Sequence, residues 1–217
     1  MNKRLIVIAA LILVLGGFAA VTLLYRGSAP EKEITAATLG ESLSQRLVRE
    51  HSPIIGPREA RVTIVEFFDP SCEACRAMYP AVKEIMARYP NDVRLVLRYA
   101  PFHPGSEEAV RIMEAARTQN VYVPVLEALL ESQPQWHDGD MRSAWTAAAA
   151  AGLNVEQATA ALNSPDVTAT IRQDVADGEA VGIRGTPTFY VNGRQLTDFG
   201  PQQLEDLIRS EVQASSR

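Results

Sequence analysis

The chain has 217 residues, 47% of them hydrophobic and 22% charged, which suits one ordinary domain with its own core and excludes a disordered chain. Its formal net charge is −5, but residues 1–26 carry Lys3, Arg4 and Arg26 and no acid, leaving −8 on the remainder. An acidic body offers no footprint for nucleic acid, and that class of partner is set aside.

Leu5 to Leu24 is a run of 20 residues without a charge, preceded by Lys3 and Arg4. At about 1.5 Å per helical residue it reaches across a bilayer, and the basic flank predicts that the chain after Arg26 is exported. Residues 1–27 therefore read as an N-terminal membrane anchor, single-pass, in a bacterial inner membrane. A cleaved signal peptide is the competing reading, since Gly27-Ser28-Ala29 supplies small residues, but the apolar run is longer than signal cores usually are. Residues 28–57 read as a polar tether with one helical stretch, in which Leu39, Leu43 and Leu47 share a face. That stretch is either a connecting helix lying on the domain or a dimerisation stalk. His51-Ser52-Pro53 and Gly56-Pro57 end it.

Val62 to Phe68 (VTIVEFF) predicts a buried strand, stopped by Asp69-Pro70-Ser71. Ser71 is placed to cap a helix from Cys72 to about Arg88, with Pro80 inside it to kink it. Val93 to Tyr99 predicts a second strand, so strand, helix and strand form a βαβ unit with the strands parallel. From about Gly105 to Gly182 the sequence is alanine-rich and helical in pattern, divided at Pro124, Pro134, His137-Asp138-Gly139 and Gly152. Ser164-Pro165-Asp166 marks a helix start there. Thr188 to Val191, Asn192-Gly193 and Arg194 to Leu196 predict a β-hairpin, and Gln202 to Val212 a final amphipathic helix.

The only two cysteines, Cys72 and Cys75, lie in DPSCEACRAMYP. In the first turn of a helix the Cys72 sulfur faces unpaired N–H groups and the positive end of the dipole, which favour the thiolate. Cys75, three residues on, shares its face, so the outer thiol attacks a partner and the inner one resolves the mixed disulfide. So short a loop is a weak staple for a core of this size. Glu66 lies six residues before Cys72. It is either an acid partly buried beneath the cysteines, with a raised pKa suited to moving a proton at Cys75, or a rim glutamate facing water. Pro187, in Gly185-Thr186-Pro187-Thr188, is either an ordinary strand-start proline or, if cis, one that packs beside the dithiol and frees the Thr186 backbone for a substrate chain.

VEFF-DPS-CEAC-RAMYP, the helical stretch after the second strand, and GTPTFYVNG together resemble the DsbA-like branch of the thioredoxin superfamily, over roughly His51 to Val212. The resemblance implies an α/β thioredoxin fold with a central mixed sheet in residues 58–215 and a helical insertion at about 104–182. It implies a protein thiol–disulfide oxidoreductase with Cys72 as nucleophile, Cys75 as resolving thiol, Glu66 as buried acid, Pro187 as cis-proline and Thr186 at the substrate chain. The redox-active disulfide would serve without a dissociable cofactor. Partners would be exported cysteine-containing proteins and a membrane redox protein that recharges the pair. The strongest oxidases of the branch carry proline and histidine between the cysteines, where this chain has Glu73 and Ala74. A negative charge there disfavours the thiolate, so the expected poise is intermediate or reducing, with the direction of electron flow open. Copper or zinc handling by the same pair is the alternative, with His51, His103 or His137 as further ligands. None of these stands at finger-like spacing. A loop histidine held by a structural hydrogen bond is the plainer reading of His103, and Trp136 and Trp145 read as core of the insert.

Overall fold

The computed structural model describes residues 43–215. The expected anchor at 1–27 and Leu39 of the leucine face lie outside the described residues. Among the described residues no helix is long and apolar enough to cross a membrane.

The two long apolar runs form β2 (Val62–Phe68) and β3 (Val93–Tyr99), parallel and in register from Val62↔Val93 to Phe68↔Tyr99. Between them α1 (Glu73–Arg88) crosses one face of the sheet. β4 (Thr188–Val191) pairs antiparallel with β2, and β5 (Arg194–Gln195) with β4. Asn192 (φ 48°) and Gly193 (φ 82°) make the hairpin turn with two residues of positive φ, a conformation that asparagine and glycine tolerate best. A strand absent from the sequence reading, β1 (Ile54–Ile55), pairs antiparallel with β3. The sheet order is thus β1-β3-β2-β4-β5. The His-Ser-Pro and Gly-Pro breakers on either side leave too few residues for a strand pattern to appear.

The insert consists of α2 (Ser106–Thr118), α3 (Tyr122–Ser132), a 3₁₀ turn (Gln133–Gln135), α4 (Arg142–Ala150), α5 (Val155–Ala161) and α6 (Pro165–Ala180). Pro124 does not divide helices as expected. It sits in the first turn of α3, where its missing N–H has no intrahelical partner to lose. The last helix, α7 (Pro201–Ser215), packs Leu204 and Ile208 into the core. Pro80 lies inside α1, which runs unbroken around it with one i→i−4 hydrogen bond missing.

Alternation along β2 divides the core. Ile64 and Phe68 face α1 and the insert, where Val82, Ile85, Leu97, Ile112 and Trp136 are buried. Val65 and Phe67 face the opposite side with Val96, Tyr190 and Leu47, and Leu43 and Val48 pack against them. The described part of the leucine stretch therefore lies on the domain. Trp136 is fully buried, its Nε1 donating to the Leu129 carbonyl at 3.1 Å, and Trp145 is half-buried with its Nε1 on Glu108.

A buried charge cluster fixes α6 to the sheet. Arg98 on β3, with no exposed surface, donates to Asp174 at 2.9 Å and Asp177 at 2.8 Å. Asp174 also accepts from the Tyr99 N–H at 2.9 Å and meets His51 at 2.7 Å, while Arg49 forks onto both oxygens of Asp177. Removing one member of such a cluster strands the others, so its cohesion exceeds that of any one exposed pair. Gly178 permits the close approach, because a Cβ there would lie 3.3 Å from the Phe67 ring. α6 in turn delivers residues 183–187 to the head of α1.

Candidate active site

The chain leaves β2 and turns sharply at Asp69, whose carboxylate has no exposed surface. One oxygen accepts from the Ser71 N–H at 2.9 Å and from the Ser106 hydroxyl. The other accepts from the N–H groups of Phe102 (2.7 Å) and His103 (3.1 Å) and meets His103 Nδ1 at 2.7 Å. One side chain thus bolts the loop after β3 to the turn before α1. Gln133 reaches in from the insert and donates to the carbonyls of Pro70 (2.7 Å) and Cys72 (3.0 Å).

The helix begins one residue later than expected. Cys72 itself is the N-cap, with extended backbone (φ −77°, ψ 122°), and Glu73 is the first helical residue. Ser71 does not cap. It is buried, and its hydroxyl donates to the His137 carbonyl at 3.2 Å. The Cys72 sulfur therefore lies at the open end of α1, above the unpaired N–H groups.

The two thiols are unbonded and differ sharply. Cys72 is lowered to about 5, chiefly by a hydrogen bond from the Cys75 thiol, against the cost of burial. The Thr186 side chain and the N–H groups of Cys75 and Ala74 add to that. As a thiol, Cys72 donates to the Thr186 carbonyl at 3.2 Å. The Thr186 hydroxyl is buried and without another partner, free to turn its proton toward the anion. Cys75, one turn deeper with no exposed surface, is pushed far up by burial and by its bond to Cys72. Glu73 and Ala74 project into solvent, so the Glu73 charge is largely screened.

Glu66 is fully buried between Leu97 of β3 and Phe189 of β4, on the α1 face of the sheet. Its Oε2 has no hydrogen-bond partner. Burial, with a smaller contribution from the Cys72 charge, pushes its carboxyl up to about 8. Its charge in turn raises Cys75. The rim alternative is excluded for this residue.

The Thr186–Pro187 bond is cis and sets Thr186 against Cys72. Two surface cavities meet at residues 183–186. One, of about 540 Å³, is lined by Cys72, Phe102, His103, Glu179 and Arg184 among others; the second, of about 450 Å³, by Ala74, Pro187, Leu196 and Phe199. Phe102 and Phe199 are exposed by 53% and 56%, one in each cavity. Sequence reasoning gathered Cys72, Cys75, Glu66, Thr186 and Pro187, and the fold brings them together. It missed Asp69, Ser106 and Gln133. Among the described residues no group of three or more His, Cys, Asp or Glu side chains is placed to hold a metal ion. His51 and His103 are engaged by carboxylates.

The Thioredoxin_4 family model, described as thioredoxin, matches residues 49–210. The chain belongs to this thioredoxin family. A thioredoxin-like oxidoreductase from Silicibacter pomeroyi superposes with a TM-score of 0.69 at 33% identity, over 78% of this chain and 95% of that one. The thioredoxin fold with a helical insertion recurs in BdbD from Bacillus subtilis (TM-score 0.66, 22% identity, 75% and 93% covered). It recurs again in α-DsbA1 from Wolbachia pipientis (0.69, 16%, 81% and 100%). By sequence, 143 residues are 36% identical to part of a Na⁺/H⁺ antiporter NhaA of Herminiimonas arsenicoxydans, covering 66% of this chain. The chain spans about a fifth of that antiporter's length (22%).

Proposed function

We propose that this chain is a thiol–disulfide oxidoreductase that exchanges disulfides with exported proteins through Cys72 and Cys75, held at the membrane by residues 1–27. The observation that carries the reading is the asymmetry of the pair. The Cys72 thiolate forms near pH 5 at a helix end, while the Cys75 thiol stays buried and protonated above a carboxyl of pKa about 8.

In the oxidising direction a client thiolate attacks the Cys72 sulfur of the disulfide. The Cys72–Cys75 bond breaks, and Cys75 leaves as a thiolate that takes the proton held by Glu66. A second client thiolate then attacks the client sulfur of the mixed disulfide, expelling Cys72 as a stable thiolate. The client loses two electrons and two protons, and the pair gains the electrons. In reverse, Cys72 attacks a client disulfide, Glu66 takes the Cys75 proton, and Cys75 displaces the reduced client. A membrane redox partner recharges the pair and sets the net direction.

The client segment would lie across Thr186, with a side chain in each of the two cavities beside Phe102 and Phe199. The charge-free run from Leu5 to Leu24 supports anchoring, with the catalytic domain on the extracytoplasmic side. A Cys72 pKa of about 5 falls between the values of about 3.5 and 7 at the strongly oxidising and reducing ends of such dithiols. The potential accordingly lies between about −120 and −270 mV. The test is a Cys75→Ser variant expressed in an exporting cell. It should accumulate mixed disulfides at Cys72 that reductant releases, and a Cys72→Ser control should not. Absence of adducts in Cys75→Ser refutes exchange with proteins.

A further inference from the structure

We propose that His103, on the loop after β3, is a positioning residue that supplies the cationic partner of the Cys72 thiolate, and that its charge is coupled to the redox state of the pair. This rests on the exchange reading above. The dipeptide between the cysteines offers the thiolate no cation, since it consists of Glu73 and Ala74. The loop supplies one across the cavity. His103 and Cys72 line the same cavity of about 540 Å³. The ring is fixed there, because Nδ1 meets Asp69 at 2.7 Å and the His103 N–H donates to the same oxygen. The other oxygen of that carboxylate holds the N–H of Ser71, the residue next to Cys72. One buried group thus sets the distance between imidazole and sulfur. With Nδ1 committed to Asp69, Nε2 is the second donor of the protonated ring.

The charge follows from the same contacts. The bond to Asp69 raises His103 above the ordinary histidine value, and the Cys72 charge raises it further. The remaining charged groups around the cavity are Glu179 and Asp174 of α6 and Arg184 before β4, with Glu66 beneath and Glu73 at the helix head. Asp174 is already engaged by Arg98 at 2.9 Å. Disulfide formation removes the thiolate and with it the interaction that favours imidazolium. By reciprocity, whatever factor His103 adds to thiolate formation, the thiolate adds to His103 protonation. For a pair in which His103 is half-exposed and Cys72 buried, that factor is roughly three- to fivefold.

The first experiment is an NMR titration of the His103 ring in the reduced and oxidised forms of the whole chain. The His103 pKa should be higher in the reduced form by roughly half a pH unit, the same factor on a logarithmic scale. Equal pKa values in the two forms overturn the proposal, because a merely structural histidine would not respond to the sulfur. The second is the pH dependence of Cys72 alkylation in His103→Asn, which keeps a donor at the Nδ1 position without the charge. Its midpoint should rise by the same amount, and His103→Lys should restore it. A superimposable His103→Asn profile overturns the proposal while leaving the wild-type midpoint near 5 to report on exchange chemistry independently.

Discussion

The buried acid gives the sharpest quantitative test. Glu66 keeps its proton in the folded chain up to about pH 8 but loses it near its ordinary value of 4.5 once unfolded. Between those limits folding takes up a proton, so the Glu66 contribution to stability falls as pH rises. At about 1.36 kcal/mol per pH unit, the span from 4.5 to about 8 amounts to a loss of about 5 kcal/mol. Glu66→Gln removes this dependence, because an amide does not titrate. The variant should therefore gain on the wild type by up to about 5 kcal/mol between pH 4.5 and 8. Cys72 acts with the opposite sign: thiolate near pH 5 when folded and a thiol up to about 9 when unfolded, it adds stability as pH rises. In the reduced wild type the two largely offset, which predicts a shallow pH profile that Glu66→Gln converts to a rising one. Urea unfolding of both proteins under reductant, at half-unit pH steps, measures the difference directly. A wild-type-minus-variant difference that stays constant from pH 4.5 to 8 would show that Glu66 is an ordinary carboxylate. It would also remove the proton source assigned to Cys75.

Iodoacetamide should modify Cys72 with a midpoint near pH 5 and spare Cys75 in the folded protein, which peptide mass spectrometry resolves; a midpoint near 9 contradicts the site geometry. Asp69→Ala strands the N–H groups of Ser71, Phe102 and His103 and should cost about 3 to 5 kcal/mol in urea unfolding, with Asp69→Asn intermediate. Asp174→Ala leaves buried Arg98 with Asp177 as its one remaining carboxylate beside the Arg46 carbonyl and should cost about 3 kcal/mol, read the same way. Glu73→His should make the potential more oxidising by about 30 mV in a glutathione titration, a small step because residue 73 is exposed.

What the sequence disclosed depended on how local each feature is. β2 and β3 were legible as β-branched apolar runs, and the β4–β5 hairpin through Asn192-Gly193. β1 was not, because two residues owe their strand conformation to β3 alone. The one-residue displacement of the α1 cap has a similar origin. Ser71 has the chemistry of a cap, but the Asp69 turn takes its N–H and sends its hydroxyl to His137. In the candidate site, Cys72 and Cys75 announced themselves by spacing, and Glu66 and Thr186–Pro187 needed the family resemblance to gain a role. Asp69 and Gln133 stayed silent. Their partners lie 34 residues away at His103 and 63 at Pro70, and no local pattern encodes such pairings.

Burial is applied unequally along about 5 Å of helix, a single turn of α1. Placed at the open end of the helix, Cys72 gains donors for its anion, whereas Cys75, one turn below, is held as the thiol chiefly by burial and by its bond to Cys72. A good leaving group and a poor one are thereby fixed by depth together with the donors at the helix end. The deep thiol would then act only when a proton moves with it, and Glu66, its carboxyl pushed up to about 8 by burial, can give and take one near neutrality. Oxidising a client needs Glu66 to hold its proton and reducing one needs it empty, so a carboxyl poised near 8 serves either direction. On the proposed reading the direction of electron flow follows from the partner that recharges the pair, and the two thiols with their acid would constitute a reversible exchanger.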